Sequence, residues 1–227
     1  MAQQNESGDQ HSGEQQATER EAREFWENRY AERDQVWSGK VNPVLAAIVP
    51  DLEVGTALDL GCGEGGDAVW LAGMGWRVTA VDISGTALER AERAAVEHGV
   101  DGRITFARHD LATDFPSGVF DLVSAQFLQT PLAFPRAEVL QEAAQAVAPG
   151  GRLLIVEHGA APPWMPRDHD HPNPHDFQTP QQTLDQLELV DDRWRIDRLE
   201  AKEREATGPN GESGMLLDNI ILACRLA

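Results

Sequence analysis

Residues 58–66 read LDLGCGEGG, a short apolar run that stops on four glycines with an acid, Asp59, inside it. Glycine takes left-handed backbone conformations at little cost and leaves the main chain bare, so a ligand can lie directly against such a turn. An apolar strand that breaks on glycines and then resumes as a helical pattern is the opening of a β-α-β unit. Such a unit requires further parallel strands, because a crossover helix buries only one face of the sheet.

The rest of the chain supplies them. Thr56–Leu60 is expected as the first strand and 67–74 as the helix after it, stopped at Gly75. WRVTAVDI is a second strand ending at Asp82, and Ser84 is placed to cap a helix running to about His98. RITFARHD and FDLVSAQ give a third and a fourth strand, 135–147 a helix, and PGG at 149–151 the turn into a fifth strand, RLLIVEH. This alternation implies an α/β fold, a parallel sheet covered on both faces with right-handed crossovers. The end of the chain departs from it. A Pro- and His-rich loop and a short helix at 180–187 lead to two β-like runs, RWRIDRLEAKERE and MLLDNIILACRL, joined by the turn-forming GPNGESG.

At the N-terminus, residues 1–17 are polar, with nothing apolar larger than Ala after Met1, and are expected to be a disordered tail. A helix is expected from Thr18, with Glu21 in capping-box position and Phe25, Trp26, Arg29 and Tyr30 on it. A loop with Trp37 and a helix opened by Pro43 follow. One domain over 18–227 fits a chain of 227 residues that is 41% hydrophobic. The net charge of −19 disfavours nucleic acid and anionic membranes as partners. The absence of an apolar run of about 18 residues predicts no membrane helix, and with only Cys62 and Cys224 a cytoplasmic location is expected.

The ligand of the glycine turn stays open on the glycines alone. Gly61, Gly63 and Gly66 spell G-x-G-x-x-G, the dinucleotide pattern. Asp59, Gly61, Gly63 and Gly65 spell D-x-G-x-G-x-G, the pattern of S-adenosylmethionine (SAM) binders. In an open α/β sheet ligands bind at the carboxyl ends of the strands. Asp82 stands 82 − 61 = 21 residues after Gly61, where a carboxylate can take both ribose hydroxyls. With ALDLGCGEGG, VTAVDIS, ARHDL, FDLVSAQ and APGGRLLIV in this order, the chain resembles the class I SAM-dependent methyltransferases over roughly residues 20–226.

That resemblance implies a Rossmann-like, doubly wound, seven-stranded sheet in the order 3-2-1-4-5-7-6, with strand 7 antiparallel, and SAM as cofactor. It implies that Asp59, Gly61, Gly63 and Gly65 surround the methionine part of SAM, that Asp82 holds the ribose and that Ile83 packs on adenine. Asp110 would accept the adenine amino group, the Leu111 amide would bond a ring nitrogen, and Gln126 would lie near the methyl group. The segment FWENRYAERDQVWSGKVNP further resembles the thiopurine, halide/thiol and tellurite-resistance methyltransferases, which implies a helical lid over about 18–50 with Tyr30 and Trp37 beside the acceptor.

The expected function is methyl transfer to a small molecule, a thiol or another soft nucleophile, which needs little base. The alternative is an O- or N-methyltransferase of a metabolite or natural product, with His158 or Glu157 as general base, His109 as a further candidate and Gln129 in the acceptor pocket. Two other readings are an NAD-dependent oxidoreductase using the same turn and a non-catalytic SAM-binding protein. The loop RDHDHPNPHDF, with His169, His171 and His175, is expected to border the acceptor pocket without a metal. Cys62 is expected to pack rather than react, and the protein to be a monomer or homodimer.

Overall fold

The computed structural model describes residues 6–164, 177–190, 192–208 and 211–227, with residues 6–18 described as backbone only. The first helix, α1 (Glu6–Ala31), starts well before the expected Thr18. Glu14, Gln15, Gln16 and Ala17, residues that lose little on entering a helix, carry it back past Thr18, while Gly8 and Gly13 nearer its start offer no such propensity. The second helix, α2 (Pro43–Ile48), is capped by the Asn42 side chain and runs on into a 3-10 turn at Val49–Asp51.

The alternating core follows as β1 (Thr56–Leu60), α3 (Gly66–Gly73), β2 (Arg77–Asp82), α4 (Gly85–Glu97), β3 (Ile104–Arg108), β4 (Phe120–Gln126), α5 (Arg136–Gln145) and β5 (Val147–His158). Then come α6 (Pro180–Gln186), β6 (Trp194–Thr207) and β7 (Ser213–Arg225). The seven strands form one sheet in the order β3-β2-β1-β4-β5-β7-β6. The first five are parallel, and β7 runs antiparallel to both β5 and β6, as the family resemblance implied. The PGG turn lies inside β5 as an irregularity: Phe120 pairs with Val147 but Leu122 with Arg152, so 148–151 loop out of register.

Period-two alternation distributes the strands between two cores. Ala57, Val78, Ala80, Leu122, Leu154, Val156, Ile220 and Leu222 face α2 and α3. Leu58, Leu60, Val81, Val123, Ala125, Leu153, Ile155 and Ile221 face α5 and the α6 end at Leu187. Burial on both faces explains why these strands read as continuous apolar runs in the sequence. No helix among the described residues is long and apolar enough to cross a membrane.

Candidate active site

The carboxyl ends of β1, β2, β3 and β4 meet at the glycine turn. Gly61, Gly63 and Gly65 have φ of 68°, 53° and 83°, the left-handed region that disfavours a side chain. The turn is tied to its neighbour strand by Cys62 N–H donating to the Val81 carbonyl. A Cβ on Gly63 would stand 3.0 Å from the Tyr30 hydroxyl and 3.3 Å from the Trp37 ring; one on Gly65 would stand 2.7 Å from the Ala91 Cβ. The turn is therefore packed against Tyr30 and Trp37 on one side and against α4 on the other, with no room for a side chain at either glycine.

Three buried side-chain oxygens around this turn have no hydrogen-bond partner: Asp59 Oδ2 on β1, Asp110 Oδ2 after β3, and Gln126 Oε1 at the end of β4. Unpaired buried acceptors are costly, and they are tolerated where a ligand supplies the donors. Asp110 keeps its other oxygen on the Ala112 amide, and Gln126 uses its Nε2 on Ser124 Oγ, which leaves Oε1 over. Burial, then the charges of Asp67 and Asp82, push the Asp59 carboxyl well above its ordinary range. Burial also raises Asp110 and, to about 6, Asp67. An acidic, partly unsatisfied cleft fits a ligand that carries an ammonium, a sulfonium and an amino-purine, which is the donor set of SAM.

Asp82 is buried and divides its oxygens between two amides, Gly63 N–H and Ser84 N–H, each at 2.9 Å. It thus joins the turn to the start of α4 and does not cap that helix, since Ser84 Oγ accepts from the Ala87 amide as the cap. Burial raises its carboxyl while these amide bonds oppose the rise. Ile83 is partly buried beside it and Leu111 lies at the edge of the α5-side core. The Cys62 thiol is pushed up, first by burial and then by Asp82 and Asp59, which keeps it protonated and unreactive.

The N-terminal segment is fastened over this turn. Glu64, within the glycine stretch, accepts from the amides of Val36 and Trp37 and from Arg90 Nη1, the last two at 2.8 Å. Arg90 in turn donates to the Tyr30 and Arg33 carbonyls. Glu27 on α1 accepts from Ser84 Oγ and from the amides of Gly85 and Thr86 at the start of α4. Burial opposes its ionisation, but these hydrogen bonds outweigh it and lower its pKa. Trp37 Nε1 donates to the Tyr30 hydroxyl at 2.9 Å. Burial, reinforced by Asp82, raises that phenol far above its ordinary value. Tyr30 and Trp37 therefore stand against the cofactor turn itself. Sequence reasoning missed Glu27, Glu64, Asp67 and Arg90. An acid inside a glycine turn was a usable signal for Glu64; Glu27 and Arg90 act across about sixty residues and leave no local trace.

On β5 the two expected bases part company. Glu157 is almost fully buried on the α5 and α6 face, where it pairs with Arg136 and accepts from Thr183 Oγ1 at 2.7 Å and Asn219 Nδ2 at 3.3 Å. This is the arrangement of a structural carboxylate. His158, one residue on, points to the other face and stacks on Phe127 at 4.3 Å between ring centroids. Its Nδ1 is buried without a partner, and burial lowers its pKa, so the imidazole is neutral at pH 7. Phe127 has φ 54°, a strained value for an aromatic residue, at the corner where β4 leaves the sheet. Gln129 spends its amide on the main chain of His158, accepting from its N–H at 2.8 Å and donating to its carbonyl at 3.4 Å. It orders the β5 end instead of presenting a free amide. His109 bonds the Asp114 carboxylate and carbonyl. His169, His171 and His175 lie outside the described residues, and no group of three metal-ligating side chains occurs among the described ones.

Residues 57–151 match a family model described as a methyltransferase domain. The chain is 31% identical to 27-O-demethylrifamycin SV methyltransferase of Amycolatopsis mediterranei over 58% of its own length and 48% of the relative's, so it spans about half of that protein. It is 26% identical to 2-heptyl-1-hydroxyquinolin-4(1H)-one methyltransferase of Mycobacteroides abscessus over 78% of this chain and 76% of that one. A solved SAM-dependent methyltransferase from Methanosarcina mazei superposes with a TM-score of 0.60 at 25% identity, covering 82% of this chain and 99% of that one. Sheet order, glycine turn and the match over residues 57–151 agree: the chain has the fold of the class I SAM-dependent methyltransferases and a methyltransferase-type domain sequence at its centre, which implies S-adenosylmethionine as cofactor.

Proposed function

We propose that the chain transfers the methyl group of SAM to a hydroxyl of a small organic acceptor. The observation that carries the cofactor half is the ring of unpaired buried oxygens, Asp59 Oδ2, Asp110 Oδ2 and Gln126 Oε1, around a turn that a Cβ would block. Asp59 with the turn would hold the methionine part, Asp82 the ribose, and Ile83, Asp110 and the Leu111 amide the adenine. When bound, SAM supplies a methyl group already activated by the sulfonium charge. The chain's own task is to align the acceptor, exclude water and take a proton. Alignment is worth up to about 7–11 kcal/mol.

The acceptor half rests on His158. It is a neutral, half-buried imidazole held at the strand end against Phe127, and in this reading it takes the proton that a hydroxyl loses as its oxygen is methylated. Glu157 is committed to Arg136, Thr183 and Asn219 and is left without that role. The two relatives named for an O-demethylated rifamycin and a hydroxyquinolone support an oxygen acceptor of natural-product type. A thiol acceptor is the competing reading, favoured by the small need of a thiolate for a base. In this reading the N-terminal segment acts as the lid of the thiopurine, halide/thiol and tellurite-resistance group.

Calorimetry with SAM, S-adenosylhomocysteine and NAD tests the first half: micromolar binding of the first two and none of NAD is expected. Tight NAD binding alone would return the turn to the dinucleotide reading. With an acceptor panel, His158→Gln should remove transfer to hydroxyls and spare thiols. Unchanged transfer to hydroxyls refutes the base.

A further inference from the structure

The register of the sheet places Asp218 of β7 directly opposite His158 of β5. Directly opposed residues of an antiparallel pair project from the same face, with Cβ atoms about 4.5–5.5 Å apart. Asp218 is 1% exposed, almost without contact with water. One of its oxygens is held by Arg204 of β6; the other, Oδ1, is buried without a partner. His158 likewise keeps Nδ1 buried without a partner. Two orphaned polar atoms of complementary type, an imidazole nitrogen and a carboxylate oxygen, therefore sit on neighbouring strands at the carboxyl end of β5. They do not bond each other.

From this juxtaposition we infer that Asp218 is the positioning residue for His158. Its carboxylate sets the orientation and charge state of the imidazole, and Arg204 opposes it from the third strand. The proposal rests on His158 having a role at the acceptor, but its first test does not. The remaining surroundings of His158 are neutral: the Phe127 ring from β4, and the Gln129 amide on its main chain. Glu157 projects to the opposite face. Lys202 of β6 stands opposite Asp218 in register and is exposed, beyond Arg204. Asp218 thus supplies the negative charge at His158, and Arg204 the nearest positive one. The pair gives His158 what a lone histidine at a strand end lacks, a buried anion able to stabilise the imidazolium that forms when a proton is taken from the acceptor.

The test is the titration of the His158 ring signals by NMR in the full chain, assigned by their loss in His158→Gln. In Asp218→Asn the midpoint should fall by about one pH unit, the low end of the effect of an opposite charge at this range. In Arg204→Met it should rise, because the opposing cation has gone. Opposite directions from two variants that break the same ion pair cannot come from loosened packing, which moves both alike. A midpoint unchanged in Asp218→Asn, or displaced in the same direction by both variants, overturns the proposal. Should Asp218→Asn fail to fold, Arg204→Met decides alone: a rise supports it, and no rise overturns it. The base reading is separated by the His158→Gln assay. If transfer survives that change while the midpoints move as expected, Asp218 sets the charge of His158 but the base reading falls.

Discussion

Replacing Asp67 by Asn should stabilise the cofactor-free protein at neutral pH and weaken its hold on SAM. Asp67 lies in the first turn of α3, accepts from the Asn42 amide at 2.6 Å, and shares the cleft with Asp59. Burial raises its carboxyl from an ordinary 3.8 to about 6. A raised acid favours the folded state only while protonated. Its contribution is complete below about pH 3.8 and declines as pH rises through 6. Above that it is a net cost, about two pH units or about 3 kcal/mol at full burial. The side chain is partly exposed, and its place at a helix N-terminus returns about 0.3–1 kcal/mol, so about 1–2 kcal/mol is the working figure. The substituted carboxamide would still accept from the Asn42 main-chain N–H while carrying no charge. The melting temperature of the variant at pH 7.5 should exceed that of the wild type by about 2–8 °C, given about 2–4 °C per kcal/mol at this size. The gain should vanish near pH 4, where Asp67 is itself protonated. Saturating SAM should raise the melting temperature of the wild type more than that of the variant, because the cations of the cofactor relieve the acid cluster in one and not in the other. Melting curves from pH 4 to 8, with and without SAM, read all three. A variant less stable at pH 7.5, or a gain independent of pH, would refute the reasoning.

Asp82→Ala should cost at least tenfold in SAM affinity by calorimetry, since two charge-assisted hydrogen bonds to ribose at about 1.5–3 kcal/mol each are lost; unchanged affinity would reduce Asp82 to a strut between Gly63 and Ser84. Glu64→Ala should release the segment around Val36 and Trp37, read as faster proteolysis between residues 30 and 42 and a loss of about 1–3 kcal/mol, since Arg90 keeps its bonds to the Tyr30 and Arg33 carbonyls; wild-type resistance to protease would refute the fastening. Deletion of residues 1–16 should leave cofactor affinity unchanged, and a fall of tenfold or more would show that the first part of α1 reaches the site. Changing His169, His171 and His175 together to Ala should alter acceptor kinetics more than SAM affinity, and activity abolished by EDTA and restored by one metal would instead make that loop a catalytic metal site.

The sheet was legible because its determinants are local. The inner strands are apolar runs bounded by Gly, Pro or an acid, the exposed and charged β6 is marked by the turn that joins it to β7, and Ser84, Asn42 and Gly75 mark helix ends within a few residues of the elements they bound. The strand ends, and with them Asp59, Asp82, Asp110 and Gln126, could be placed on one edge for the same reason. What carried no signal was which polar groups are left over after folding. His158 and Glu157 are adjacent in sequence and equally plausible as bases; only the strand's alternation, with Arg136 and Thr183 arriving from α5 and α6, separates them. Tyr30 and Trp37, expected beside the acceptor, lie against Gly63, a contact with no local signal because Glu64 and Arg90 draw the loop down onto the turn from a distance in sequence. The early start of α1 was hidden because a polar helix and a polar coil have the same composition.

The contact between Gly65 and Ala91 has a consequence for how this protein can drift. A methyl group on residue 65 would stand 2.7 Å from the Cβ of residue 91, and residue 91 sits with Ala87 and Ala95 on a fully buried alanine stripe of α4. Neither position can gain a carbon unless the helix moves away from the cofactor turn, and moving it also displaces Ser84, to which Asp82 and Glu27 are bonded. Residues 65 and 91 therefore behave as a single locus. In any library aimed at a new acceptor, enlargement at either of these two sites should be purged first, as loss of cofactor binding and not as altered specificity.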